Sequence, residues 1–180
     1  HGRHYKLAYY LARRGHLVTI FAASTVHGTE RNLIIGKAPY TLEEDGPVPS
    51  ILIRARDYSG NGWDRIGNMV DYALRVVSVS KKLRVVKPDV VIASSVHPLT
   101  WLSGYIIARR YNAKFIAETR DLWPQTLIDM GRLRENSIVA KVLYWFERFI
   151  YTKADKLIFT MPGGKDYVAS LGLDTSKVAY

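Results

Sequence analysis

Lys114-Phe115-Ile116-Ala117-Glu118-Thr119-Arg120-Asp121-Leu122-Trp123-Pro124 passes from an apolar run straight into charged and aromatic side chains. An apolar run of this kind marks a buried parallel strand, and ligands of open α/β sheets sit beyond the carboxyl ends of such strands. The stretch therefore predicts an α/β fold and places the chemistry where this strand ends. Arg120 has the planar fork to hold a phosphate or carboxylate through two hydrogen bonds. Asp121 can accept from a sugar hydroxyl or an ammonium, and Trp123 offers a flat apolar face to a ring. The competing reading is a structural Arg120-Asp121 pair with Trp123 as core filler.

Outward from this stretch the chain alternates apolar runs with amphipathic segments, the pattern of a parallel sheet covered by helices on both faces. Strands are expected at 17–23, 48–55, 89–94, 114–118 and 156–160. Helices are expected at 64–86, 99–111, 137–153 and 164–171, the first of them stopped by Pro88. Residues 24–47, rich in Gly, Pro and charge, read as a long loop. The opening His1-Gly2-Arg3-His4 runs into a helical pattern with Leu7, Tyr10 and Leu11 on one face and Gly15 as a stop. On this reading Gly2 is the tail of a glycine-bearing turn after a first strand lying upstream, and Lys177-Val178-Ala179-Tyr180 begins another strand. The expectation is one Rossmann-like domain over 1–180, cut from a larger protein.

The 180 residues, 48% of them hydrophobic, are enough for a core, which excludes a disordered chain. Lys and Arg total 26 against 16 Asp and Glu, a formal charge of +10 that favours anionic partners such as nucleotide phosphates, nucleic acid or an acidic membrane surface. Without cysteine there is no disulfide framework and no thiolate metal site. The five histidines form no ligand spacing, so no intrinsic metal is expected. No apolar stretch reaches bilayer length and no signal peptide is visible.

Three further constellations fall at expected strand ends. In Ser94-Ser95-Val96-His97-Pro98 the imidazole of His97 lies at the cleft and can accept from, or donate to, a sugar hydroxyl; the plainer alternative is a loop or helix-capping histidine. Tyr58-Ser59-Gly60-Asn61-Gly62-Trp63 is no dinucleotide fingerprint and reads as an ordinary turn. Met161-Pro162-Gly163-Gly164-Lys165 reads as a helix-start turn, although free amides at such a start attract anions.

The bases are unevenly spread. No acid precedes Glu30, whereas Arg3, Lys6, Arg13 and Arg14 do, and Arg75, Lys81, Lys82, Arg84 and Lys87 form a second acid-free run. These are read as solvated faces. A basic face near the aromatic segment Tyr144-Trp145-Phe146-Glu147-Arg148-Phe149 also suits anionic lipid, against the alternative that this segment is core or interdomain packing.

Taken in order, Gly2-Arg3-His4-Tyr5, Leu11 to Ile20, Tyr58 to Gly62, Ser94 to Pro98, Arg120-Asp121-Leu122-Trp123-Pro124 and Glu147-Arg148 through Ala154-Asp155-Lys156 resemble the amino-terminal domain of family 4 glycosyltransferases of the bacterial surface-polysaccharide type. The resemblance implies one half of a GT-B architecture: two Rossmann-like domains facing across a cleft, with retention of configuration at the sugar carbon. It implies that this half mainly binds the acceptor, a lipid-linked glycan, at the inner face of the plasma membrane. The absent carboxyl-terminal domain would hold most of a nucleotide-sugar donor, and no metal or other cofactor is implied. His97 matches the histidine that contacts the donor sugar near the reacting carbon. Gly2 and Arg3, with Arg120, Asp121 and Trp123, are the substrate-binding candidates, and the resemblance assigns Arg120 and Asp121 no individual roles.

Two rivals remain at this level. A nucleotide- or nucleic-acid-binding Rossmann module without transferase activity fits the charge, but an interleaved aromatic-basic strand surface is lacking, so nucleic acid is not an expected partner. A dehydrogenase cofactor domain would carry a complete glycine fingerprint followed by an acid about 20 residues later.

Overall fold

In the computed structural model, which describes residues 2–26, 29, 31–44, 46–60, 62–83 and 87–180, the strands form two sheets, one in each of two units, His1–Leu83 and Arg84–Tyr180.

In the first unit α1 (Arg3–Arg13) begins on the Gly2 carbonyl, which accepts from the amides of Tyr5 and Lys6. Gly15, at φ +86°, follows it in the left-handed conformation that commonly ends helices. The buried side of α1 runs through Ala8, whereas Leu7 and Tyr10 of the expected face are exposed. Tyr5, Tyr9 and Leu11 are half-buried beside Ala8. Strand β1 is only Ile20–Ala23, shorter than expected, and Leu17 is 91% exposed. The reason lies in its partner: β1 pairs in parallel with β3 (Ser50–Ile53) from Ile20↔Ser50 onward, and the preceding Pro49 has no amide with which to extend the ladder.

Strand β2 (Tyr40–Glu43) corrects the loop expected at 24–47. It pairs antiparallel with β3, so this sheet, ordered β1-β3-β2, is mixed. The long helix α2 (Trp63–Lys82) buries Tyr72, Val76 and Val79, and the Tyr72 hydroxyl donates to the Phe21 carbonyl at 3.1 Å. Residues 84–86, the expected end of this helix, and Asn61 of the glycine-bearing turn lie outside the described residues.

The second unit runs β4 (Val90–Ser95), α3 (Pro98–Tyr111), β5 (Lys114–Thr119), α4 (Gln125–Asp129), α5 (Ile138–Lys153), β6 (Lys156–Phe159), α6 (Gly164–Ser170), a 3-10 turn and β7 (Val178–Ala179). Its sheet, β4-β5-β6-β7, is wholly parallel, the Rossmann-like arrangement expected from the alternating pattern. Local chemistry sets the helix ends. Pro98 opens α3, Asn112 closes it at φ +53°, and the Ser137 hydroxyl accepts from the Ala140 amide at 3.1 Å to start α5. Asp155, just past α5, accepts from the Phe115 amide at 2.9 Å and from Lys114 Nζ at 3.0 Å, which clamps that helix end to the start of β5. The Phe115 amide, ahead of Lys114, holds the Asp155 carboxyl below its ordinary range.

The core of this unit is built on Trp101, Ile150, Tyr151, Leu157, Phe159 and Val168, all essentially inaccessible. Its tightness is visible at Gly104 of α3, where an added Cβ would overlap the Cβ of Ala93 on β4. Alanine at a mid-helix glycine ordinarily gains about 1 kcal/mol of helix propensity. Here the overlap costs more, and Gly104→Ala is expected to lower stability by about 1–3 kcal/mol in urea denaturation. A neutral or stabilised variant would show that α3 sits looser on β4 than described.

Candidate functional site

The parallel ladder brings three strand ends to one edge. Ser95 of β4 is in register with Thr119 of β5, and Thr119 with Phe159 of β6. The segments that follow, Val96-His97, Arg120-Asp121 and Thr160 to Gly163, therefore leave the same carboxyl edge, where ligands of parallel sheets bind. The His97 and Arg120-Asp121 segments are neighbours here because β4 and β5 pair directly.

Two hydrogen bonds knit this edge together. The Arg120 amide donates to Ser95 Oγ at 3.2 Å, from β5 to β4, and the Thr160 amide donates to the Thr119 carbonyl at 3.2 Å, from β6 to β5. Ser95 and Thr119 are fully buried, so the backbone that carries Arg120 is held from both sides.

His97 is 8% exposed and occupies the N-cap of α3 in an extended conformation, but its side chain makes no capping hydrogen bond. Its Nε2 lies 3.4 Å from Thr100 Oγ1, one turn into the helix. The capping alternative raised by the sequence thus describes the position of His97 but not its imidazole.

Arg120 and Asp121 are exposed, and among the described residues no ion pair joins them. Their charged groups stand in solvent at the sheet edge instead of neutralising each other, which is the arrangement needed to meet a charged or hydroxyl-bearing ligand. Trp123 is half-buried. Its indole N–H is shielded from water and has no hydrogen-bond partner among the described residues, and the following Pro124 is fully buried. These two residues root the segment whose exposed part carries Arg120 and Asp121. Gly2 and Arg3 belong to the other unit, at the start of α1.

Behind the edge lies a network that the motif reading overlooked. Glu147 of α5, only 1% exposed, accepts from the Tyr167 hydroxyl at 2.7 Å and from the Tyr151 hydroxyl at 3.1 Å. Tyr151 in turn lies 3.0 Å from Thr119 Oγ1. A hydroxyl has one proton, so with Tyr151 donating to Glu147, Thr119 donates to Tyr151. Burial pushes the Glu147 carboxyl up to about 7, against the opposing pull of the two tyrosine hydroxyls. The signal in the sequence is spacing: Glu147 stands three and four residues before Ile150 and Tyr151, on the helical face that becomes core.

The Met161-to-Lys165 turn keeps its plain reading. Gly163 takes φ +82° at the N-cap of α6, and Gly164 lacks a Cβ because one would overlap the Phe159 ring. Among the described residues no group of three or more His, Asp or Glu side chains could hold a metal ion.

A family model described as glycosyl transferase 4-like domain matches residues 3–180. The chain belongs to this family. It is a glycosyltransferase domain, and the ordered resemblance that ran from Gly2-Arg3 to Asp155-Lys156 marked it correctly. No curated protein matches it. A glycosyltransferase domain of this kind works with a sugar donor and an acceptor.

Proposed function

We propose that the chain is the acceptor-side half of a retaining glycosyltransferase that moves a sugar from a nucleotide-sugar to a lipid-linked glycan during bacterial surface-polysaccharide synthesis. The observation that carries this reading is the carboxyl edge of the second sheet, with His97 beside Arg120 and Asp121. In the transfer the bond between the anomeric carbon and the diphosphate oxygen breaks, and the electron pair leaves with the diphosphate. The acceptor hydroxyl bonds to the same carbon on the same face and passes its proton to the departing diphosphate oxygen. His97, shielded from water, hydrogen-bonds a hydroxyl of the transferred sugar as charge develops at that carbon. Arg120, Asp121 and Trp123 bind substrate at the edge, and Gly2 and Arg3 do so from the start of α1. Basic side chains and a helix amino terminus neutralise the diphosphate without a metal or other cofactor.

The donor half is a second domain of the same protein, and the enzyme works at the inner face of the plasma membrane, where a lipid-linked acceptor is found. Attachment in this reading is peripheral. Among the described residues no helix is long and apolar enough to cross a membrane. The test is transfer from UDP-, GDP-, ADP- and dTDP-sugars to polyprenyl-linked saccharides, with the new linkage read by NMR. The two-domain protein is expected to form a product that keeps the donor's anomeric configuration, and this chain alone to form none, because excluding water and aligning the reactants takes both halves. An inverted product would overturn the retaining mechanism. Absence of transfer together with steeply salt-dependent binding to random oligonucleotides would favour the nucleic-acid module.

A further inference from the structure

Helix α5 is apolar on two opposite sides, and the protein covers one of them. The inner side carries Ala140, Glu147, Ile150 and Tyr151, all buried. On the outer side Ile138, Val142, Trp145 and Phe149 follow at spacings of four, three and four, one stripe along the helix. Ile138 is 81% exposed, Trp145 65% and Val142 55%, and Trp145 stacks on the half-buried Phe149 with centroids 5.9 Å apart and planes 18° from parallel. A large exposed apolar stripe of this kind marks an interaction surface.

Charge selects the occupant. Lys141 and Arg148 flank the stripe on one side and Lys153 on the other, with the Lys153 ammonium 5.9 Å from the centre of the Phe149 ring. The only acid of α5, Glu147, faces the core, so the outer face is acid-free. A second copy related by a two-fold axis would set these bases against their equivalents, and the chain as a whole carries +10. An anionic lipid surface satisfies both features at once: it takes the stacked Trp145-Phe149 pair and the aliphatic side chains at the headgroup boundary and gives the bases their counter-charge.

We propose that the outer face of α5 is the surface by which this domain seats on anionic membrane. The proposal rests on the lipid-linked acceptor reading above and adds to it the site of attachment. The probes are vesicles of phosphatidylcholine alone and of equal parts phosphatidylcholine and phosphatidylglycerol, with the full chain in co-sedimentation at low and high salt. The chain is expected to bind the anionic vesicles, less so as salt rises, and to bind the neutral ones at least tenfold more weakly. Trp145→Ala and Lys141→Glu are each expected to lower anionic binding by roughly tenfold. Trp63→Ala, which removes the 84%-exposed indole of α2, should leave it unchanged. Both tryptophans are exposed, so circular dichroism and Tm are expected to match the unaltered chain. Equal binding by Trp145→Ala would overturn the α5 surface and leave the membrane reading standing. If the unaltered chain binds neither vesicle, or binds both equally, surface and anionic attachment fall together while the transfer assay still judges the enzyme. A dimer that Trp145→Ala dissociates, without vesicle binding, would assign the face to self-association.

Discussion

Replacing His97 by alanine is expected to lower turnover of the two-domain transferase by about 10²-fold while the domain stays folded. A hydrogen bond formed mainly in the transition state is worth roughly 2.7 kcal/mol or more where water is excluded, and the 8% exposure of His97 supplies that exclusion. The structural cost is small by comparison. The imidazole makes no capping bond to α3, and Pro98, pre-set for the first helical position, continues to open that helix. The two effects separate in measurement: kcat falls and Tm moves little. A variant that melts the domain, or one that turns over normally, would return the imidazole to a packing role and move the chemistry to Arg120 and Asp121.

Glu147 is expected to behave in the opposite way, through stability. Glu147→Ala leaves two tyrosine hydroxyls without their acceptor and opens a hole in a closed core, a loss of about 3 kcal/mol or more. Glu147→Gln keeps the shape and one acceptor oxygen and should lose much less. The carboxyl also gives stability a pH dependence whose sign is fixed by the direction of its shift. Folded, it titrates near 7; unfolded, near 4.5, so between these values the native state holds the extra proton. Stability from this group is full below pH 4.5 and falls as pH rises through 7, by about 3 kcal/mol in all. Urea denaturation from pH 4.5 to 8.5 should show this fall in the native protein but not in Glu147→Gln. The difference between the two curves removes carboxylates shifted the other way, such as Asp155, whose contribution is lost as pH drops. Parallel curves would mean that Glu147 is ionised throughout. Because Glu147 reaches Thr119 through Tyr151, loosening this network also loosens the backbone that carries Arg120.

What the sequence determined by itself was whatever rests on neighbours along the chain. The run from Lys114 into Arg120-Asp121 marked both a parallel strand and the edge where it ends, and β4, β5 and β6 fall within a residue or so of their expected bounds. Pro98 and Ser137 set helix starts by chemistry confined to one turn. Tertiary structure decided what depends on distant partners. Tyr40–Glu43 becomes a strand because β3 has a second edge to satisfy, and residues 17–19 fall short of one because Pro49 cannot continue the ladder. Two apolar sides of α5 are legible in its spacing, but only packing shows which is core, that Glu147 is shut inside it, and that Trp145 is left outside. Periodicity records which residues share a face; burial depends on what the rest of the chain brings against that face.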